Sequence, residues 1–240
     1  MSFSLKNKVV LVTGSTDGLG KLLVQELARQ GAQVIVHGRD AAKVGQLVKH
    51  LNEINSKENQ SVVCDLNKPE EVGKAFGAIE TLDVLINNAG VWEEGDTENV
   101  TPERIIELVN VNLASYLLTF RTLLPVLQKS GFSQVLNVIS VAGYEVPIDY
   151  YHTIYSATKY GLQGFTEATA KEFFNKNLRV MGFYPGGMET RLFKKAGIEY
   201  EDKEPWMFPP QESVEAILFM LTRNPKVSVK RMDFINQLEK

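Results

Sequence analysis

Lys8-Val9-Val10-Leu11-Val12-Thr13-Gly14-Ser15-Thr16-Asp17-Gly18-Leu19-Gly20 opens as a short apolar run and passes without a gap into a glycine-rich turn. Leu22, Leu23, Leu27 and Ala28 then recur at helical spacing. Strand, glycine turn and helix in this order point a helix N-terminus and its free backbone N–H groups at a phosphate. Each glycine has a steric reason: Gly14 permits a tight turn, Gly18 lets the backbone approach a pyrophosphate, and Gly20 lets the helix pack closely on the strand. A glycine-rich loop without a ligand is the competing reading of this stretch alone.

Outward from this unit the same alternation continues. Strand-like apolar runs at residues 9–12, 34–36, 61–64, 82–86, 135–139, 178–183 and 227–235 are separated by helical patterns. That pattern predicts an α/β fold: a doubly wound, mostly parallel seven-stranded sheet with helices on both faces and right-handed crossovers. Residues 101–129 begin with Thr101-Pro102, a capping residue and a proline at the first helical position, and carry leucines and isoleucines at helical spacing, which predicts one long helix. Pro205-Trp206-Met207-Phe208-Pro209-Pro210 is the most irregular patch and falls in an expected substrate loop around residues 188–210.

Composition bounds the function. At 240 residues, with 44% hydrophobic and 23% charged side chains, the chain is expected to form a single domain over 1–240 with a large core. A formal net charge of -3, with charges interspersed, offers no basic face to nucleic acid. Cys64 is the only cysteine, so no intrachain disulfide can form, and its place in an apolar run suggests a buried strand residue rather than a nucleophile. The first strand begins almost at once and no apolar run is long enough to span a bilayer, so the expectation is a cytoplasmic protein without a membrane partner.

Tyr155-Ser156-Ala157-Thr158-Lys159 carries a phenol and an ammonium four residues apart, on one face if the segment is helical. A free tyrosine titrates near ~10, too high to shuttle protons at neutral pH, and a neighbouring cation lowers that value. Lys159 is therefore expected to make Tyr155 a usable acid/base, against the bland alternative of a solvated helix face.

Five signatures in order now make the chain resemble the short-chain dehydrogenase/reductase family over nearly its whole length. Thr13 to Gly20 matches T-G-x-x-x-G-x-G, Asn87-Asn88-Ala89-Gly90 matches N-N-A-G, and Asn112 stands where the family has a helix asparagine. Ser140 precedes Tyr155-x-x-x-Lys159, and Pro185-Gly186-Gly187-Met188-Glu189-Thr190 matches P-G-x-x-x-T. The resemblance implies hydride transfer between a nicotinamide cofactor and a small-molecule ketone or alcohol with an apolar part. Tyr155 would be the general acid/base, Ser140 would hydrogen-bond the substrate oxygen, Lys159 would also hold the nicotinamide ribose, and Asn112 would hold a water connecting Lys159 to solvent. Asn112 is preferred to the neighbouring Asn110 because Val111-Asn112-Leu113 fits the family's local pattern. The same resemblance implies cofactor contacts from Gly14, Ser15, Thr16, Asp17, Gly18, Leu19 and Gly20, from Gly38, Arg39, Asp65 and Leu66, from Asn88, Ala89 and Gly90, from Tyr155 and Lys159, and from Pro185, Gly186, Met188 and Thr190. It also implies a homodimer or homotetramer built on residues 101–129 and the helix of Tyr155.

Cofactor choice turns on the end of the second strand, Val36-His37-Gly38-Arg39-Asp40. An acidic residue there would accept from the ribose 2′-hydroxyl of NAD and repel a 2′-phosphate. Here the position holds Gly38, followed by Arg39, whose guanidinium matches phosphate geometry, so NADP is favoured with NAD as the alternative. Asp17, where some NADP-dependent relatives carry a basic residue, and Asp40, able to pair with Arg39, stand against it. Asp65 would meet the adenine amino group or simply close a turn. His37 and His50 lack partners at metal-ligand spacing, so no metal site is expected, and the absence of G-x-S-x-G argues against a hydrolase built on Ser140 and His152. Tyr144, Val146, Ile148, Tyr150, Tyr151, Trp92, Trp206 and Phe208 are candidates for an apolar substrate wall.

Overall fold

The computed structural model describes residues 2–147, 151–198, 200 and 204–237. Seven strands form one sheet: β1 (Val9–Val12), β2 (Gln33–Gly38), β3 (Gln60–Val63), β4 (Val84–Asn87), β5 (Ser133–Val138), β6 (Leu178–Pro185) and β7 (Arg231–Phe234). Their order is β3-β2-β1-β4-β5-β6-β7, and every pairing is parallel. The expected seven strands are all present, and the sheet is parallel throughout rather than mostly so.

The strands are continuous apolar runs because both faces are covered. Successive side chains alternate faces, so Val10, Val12, Val34 and Val36 join one core with helices α1 (Gly18–Arg29), α2 (Ala41–Asn55) and α8 (Pro210–Leu221). Leu11 and Ile35 join the opposite core, where Phe76 of α3 (Pro69–Phe76) and Leu123 and Leu127 of α5 (Ser115–Leu127) pack. Helix α6 (Thr153–Glu172) lies on that second face, and α7 (Leu192–Lys195) is a single turn in the loop after β6. None of the helices among the described residues is long and apolar enough to cross a membrane.

The helix expected over 101–129 is real but not uniform. Helix α4 (Pro102–Val109), capped by Thr101, runs into a π-helical turn over Asn110–Ala114 and then into α5. The wider turn carries one extra residue per hydrogen-bonded ring, which turns Asn112 inward to full burial while Asn110 stays half-buried on the outside. Spacing of apolar residues does not reveal such a turn, because the helix resumes after it.

Candidate active site

Strand order reverses between β1 and β4, and a cavity of about 550 Å³ opens above the carboxyl ends of the strands there. The glycine turn forms one wall. Gly14 sits at φ +63° with its α-carbon against Ala89, where a Cβ would come within 2.8 Å of the Ala89 Cα. At Gly20 a Cβ would lie 2.5 Å from the Gly14 carbonyl oxygen and 2.6 Å from Asn88 Nδ2, so only glycine lets α1 start this close to β1. Gly18, at φ +50°, has only Thr190 near its missing Cβ, at 3.7 Å, which leaves its backbone open to the cavity. This cradle at the head of a twelve-residue helix suits a dinucleotide pyrophosphate.

Of the expected cradle residues, Ser15 is the exception. Its hydroxyl accepts from His37 N at 2.9 Å, and its own N–H goes to the His37 carbonyl. Ser15 is wholly buried and off the cavity wall, whereas Thr16, Asp17, Leu19 and the three glycines line it. His37 completes the tie, since its Nδ1 accepts from Gly14 N at 2.9 Å. Burial holds that imidazole down to about 4. It is therefore neutral, with its proton on the nitrogen facing Cys64 Sγ at 3.4 Å. Cys64 follows β3 rather than lying in it as expected; it is buried and its thiol is pushed up to about 11 by burial, which does not suit a nucleophile.

At the end of β2, Gly38 and Arg39 lie on the wall. A Cβ at Gly38 would lie 2.7 Å from Thr16 Cγ2. Asp40 does not pair with Arg39: it caps α2 by accepting from Lys43 N at 3.1 Å, and its other oxygen faces Lys43 Nζ at 3.7 Å. Asp65 and Leu66 also line the cavity, and Asp65 Oδ1 accepts from Asn67 N at 3.0 Å, so the aspartate closes a turn while facing the cavity. Asn88, Ala89 and Gly90 line it too, with Asn88 Nδ2 donating to the Thr13 carbonyl at 2.9 Å.

Ser140, Tyr155 and Lys159 meet on the opposite wall. Ser140 follows β5 and its hydroxyl accepts from Ala142 N at 3.2 Å, holding a short turn that presents the side chain. Tyr155 and Lys159 are one turn apart on α6, both buried, with Lys159 Nζ 5.5 Å from the phenol ring centre. Burial pushes the phenol up to about 12, opposed by its hydrogen bond with Ser140, and burial pushes the Lys159 ammonium down to about 7. The expected lowering of Tyr155 by a neighbouring cation is thus reversed in direction. Desolvation outweighs it, because the same buried setting disfavours charge on both groups. Tyr155 holds its proton at neutral pH. Asn112 lies behind the wall, its Oδ1 accepting from Val91 N at 2.8 Å and its Nδ2 donating to Val91 O at 2.9 Å. Asn110 points elsewhere, donating to Asn67. Pro185, Gly186, Met188 and Thr190 complete the floor after β6.

The apolar wall is only partly as expected. Trp92, Tyr151 and Trp206 line the cavity. Tyr144 instead packs on Tyr184 beneath the Arg231 guanidinium, Phe208 packs on Phe234, and Val146 is exposed away from the site. Ile148 and Tyr150 fall outside the described residues. His152 is on the wall, its Nδ1 2.7 Å from Ser156 Oγ. Three contributors carry no sequence signal beyond lying in irregular segments: Glu94, Phe193 and Tyr200. So do Arg191 and Lys195, whose cations lie 3.7 and 2.7 Å from Asp17 Oδ2. Glu93, also unmarked in the sequence, is buried beside α6. Its Oε2 accepts from Tyr155 N at 3.4 Å, a capping contact that His152 does not make, and its Oε1 has no hydrogen-bond partner among the described residues.

A family model described as short chain dehydrogenase matches residues 8–201. A 3-oxoacyl-[acyl-carrier-protein] reductase from Aquifex aeolicus is 29% identical over 230 residues, 92% of each chain. An alcohol dehydrogenase from the archaeon Thermococcus sibiricus, complexed with 5-hydroxy-NADP, shares the fold with a TM-score of 0.88 at 22% identity, over 98% of this chain and 99% of that one. A short-chain dehydrogenase from Sphingobium yanoikuyae, in complex with NADPH, gives a TM-score of 0.81 at 25% identity, over 88% and 83%.

Proposed function

The chain belongs to the short-chain dehydrogenase family, and we propose from this that it is an NADP(H)-dependent oxidoreductase acting on a small ketone or its alcohol, with Tyr155 as general acid/base. The observation that carries the reading is that Ser140 and Tyr155 face the same cavity as the glycine cradle, with Lys159 one helical turn below the phenol. NADP over NAD rests on Arg39 at the rim with Asp40 committed elsewhere, and a relative at 25% identity is held in complex with NADPH.

The bound nicotinamide supplies or accepts the hydride. The remaining work belongs to the chain. In reduction Tyr155 Oη gives its proton to the carbonyl oxygen, which suits a phenol that stays protonated at neutral pH. Ser140 Oγ donates a hydrogen bond to the same oxygen and stabilises the charge growing there. Lys159 Nζ, on the cavity wall and 4.0 Å from where a Cβ on Gly90 would stand, holds the ribose hydroxyls and eases proton loss from Tyr155 in the reverse direction. Asn112 keeps one amide hydrogen and one lone pair beyond its Val91 bonds, enough to anchor a water toward Lys159. Exposed Ile106, Val109 and Leu117 along α4 and α5 and Tyr160 on α6 support self-association through these helices.

Tyr155→Phe tests the assignment. The variant should fold and bind NADPH while losing ketone reduction by on the order of a hundredfold or more. Near-normal turnover would assign the proton to another group, and no turnover by the native chain with any ketone or alcohol would favour a dinucleotide-binding regulator.

A further inference from the structure

The wall beyond Tyr155 is built of rings and ends on a carboxylate. The indole of Trp92 lies 4.5 Å from the phenol of Tyr155 and 5.0 Å from the ring of Phe193. Phe193 in turn meets Tyr200 at 5.3 Å and Trp206 at 5.4 Å, each edge to face. Trp206 packs directly against Gly187, where a Cβ would come within 2.1 Å of the indole. At the outer end Glu94 accepts from Trp92 Nε1 at 3.2 Å and from Tyr200 Oη at 2.8 Å.

Both donors to Glu94 are neutral, so its charge is positioned and not offset. Among the described residues the cations nearby are engaged elsewhere, Arg104 by Glu107 and the Trp92 carbonyl and Arg191 and Lys195 by Asp17, while His152, which feels the Glu94 charge, is kept toward its neutral form by burial. An anionic substrate would meet this carboxylate with no counter-charge. A cation would meet aromatic faces and a carboxylate, the two features that recognise ammonium groups.

Resting on the oxidoreductase reading above, we propose that the substrate is a compact ring ketone bearing a tertiary or quaternary ammonium group, or the corresponding alcohol. Its carbonyl would lie at Tyr155 and Ser140 and its cation over Trp92 toward Glu94. The redox step is unchanged: the carbonyl carbon takes the hydride of NADPH, its oxygen takes the Tyr155 proton, NADP+ and the alcohol leave, and Tyr155 regains a proton from solvent. Trp92 touches both the phenol and Glu94, so the two ends of the substrate are separated by roughly one ring.

Three ketones of one shape but different charge test this: N,N-dimethyl-4-oxopiperidinium, its uncharged isostere 4,4-dimethylcyclohexanone, and 4-oxocyclohexanecarboxylate. The chain's two tryptophans, Trp92 and Trp206, both line the cavity, so their emission from the NADP+-loaded protein reads binding whether or not turnover occurs. NADPH consumption gives kcat/KM in parallel. The cation should bind and react several-fold to about tenfold better than the isostere, and the isostere better than the anion. Glu94→Gln should cut the value for the cation several-fold more than that for the isostere. Equal affinities, a preference for the anion, no binding of any of the three, or equal losses in Glu94→Gln would each overturn the inference. Reduction of all three without charge preference would sink it and leave the oxidoreductase reading standing. The expected binding order without any reduction would do the reverse.

Discussion

Asp17 Oδ2 lies 2.7 Å from Lys195 Nζ, so the residue that caps α1 also ties down the single turn α7 across the mouth of the cavity. Arg191 adds a second, longer contact at 3.7 Å. Partly exposed pairs of this kind contribute little to global stability, typically under ~1 kcal/mol. Their effect is local.

Asp17→Asn keeps a good helix cap and removes the charge. The thermal midpoint should move by no more than about 2 °C. Limited trypsin digestion should cut after Arg191, Lys194 or Lys195 several-fold faster than in the native chain. An unchanged cleavage rate would show that α7 is held by its aromatic contacts alone.

Arg39→Ala should weaken NADPH by roughly tenfold or more, the scale of one charged hydrogen bond, and leave NADH almost unaffected. Titration of each cofactor by fluorescence separates the two. Equal losses, or tighter native binding of NADH, would reverse the preference proposed for this chain.

Lys159→Met keeps length and apolar bulk while removing charge and donors. In the native chain reduction should stay level across the neutral range as far as Tyr155 is concerned, since burial pushes the phenol up to about 12, and oxidation should climb as pH rises. The variant should bind cofactor less tightly, and because burial pushes the Lys159 ammonium down to about 7, its oxidation profile should fall below the native one under about pH 7, where the native cation is present, and converge with it at higher pH. An unmoved profile would remove the electrostatic role, and unchanged affinity the ribose role.

His37 links pH to stability through the glycine turn. Its folded value is held down to about 4 by burial, against 6.5 when free. The unfolded chain therefore binds this proton first, and the contribution is complete above about 6.5 and lost as pH falls toward about 4. The loss is on the order of 3 kcal/mol. His37→Gln should be less stable at neutral pH and should show a shallower fall in thermal midpoint between those values than the native chain. Parallel curves would assign the acid sensitivity to carboxylates.

The three glycines, the strand–helix alternation and the order of motifs were legible in the sequence because each reflects a local requirement: a positive φ at Gly14, a close approach at Gly20, a short continuous apolar run in β1 and β2. What escaped depends on neighbours distant in the chain. Ser15 lies within the motif, yet the partner that turns it inward is on β2. The direction of the Tyr155 shift follows from how deeply α6 is buried, which an i, i+4 spacing does not encode. Glu94, Phe193 and Tyr200 converge from two irregular segments with no period to read. Tyr144 and Phe208 are aromatic residues of the expected kind that pack against Tyr184 and Phe234 instead.

The contact between Gly38 and Thr16 orders the routes by which cofactor preference can drift. An acidic side chain at 38, the simplest device for reading an unphosphorylated ribose, would drive its Cβ to 2.7 Å from the methyl of a β-branched threonine with little rotamer freedom. The two substitutions are therefore coupled: an acidic side chain at 38 costs more beside Thr16 than beside a smaller residue there.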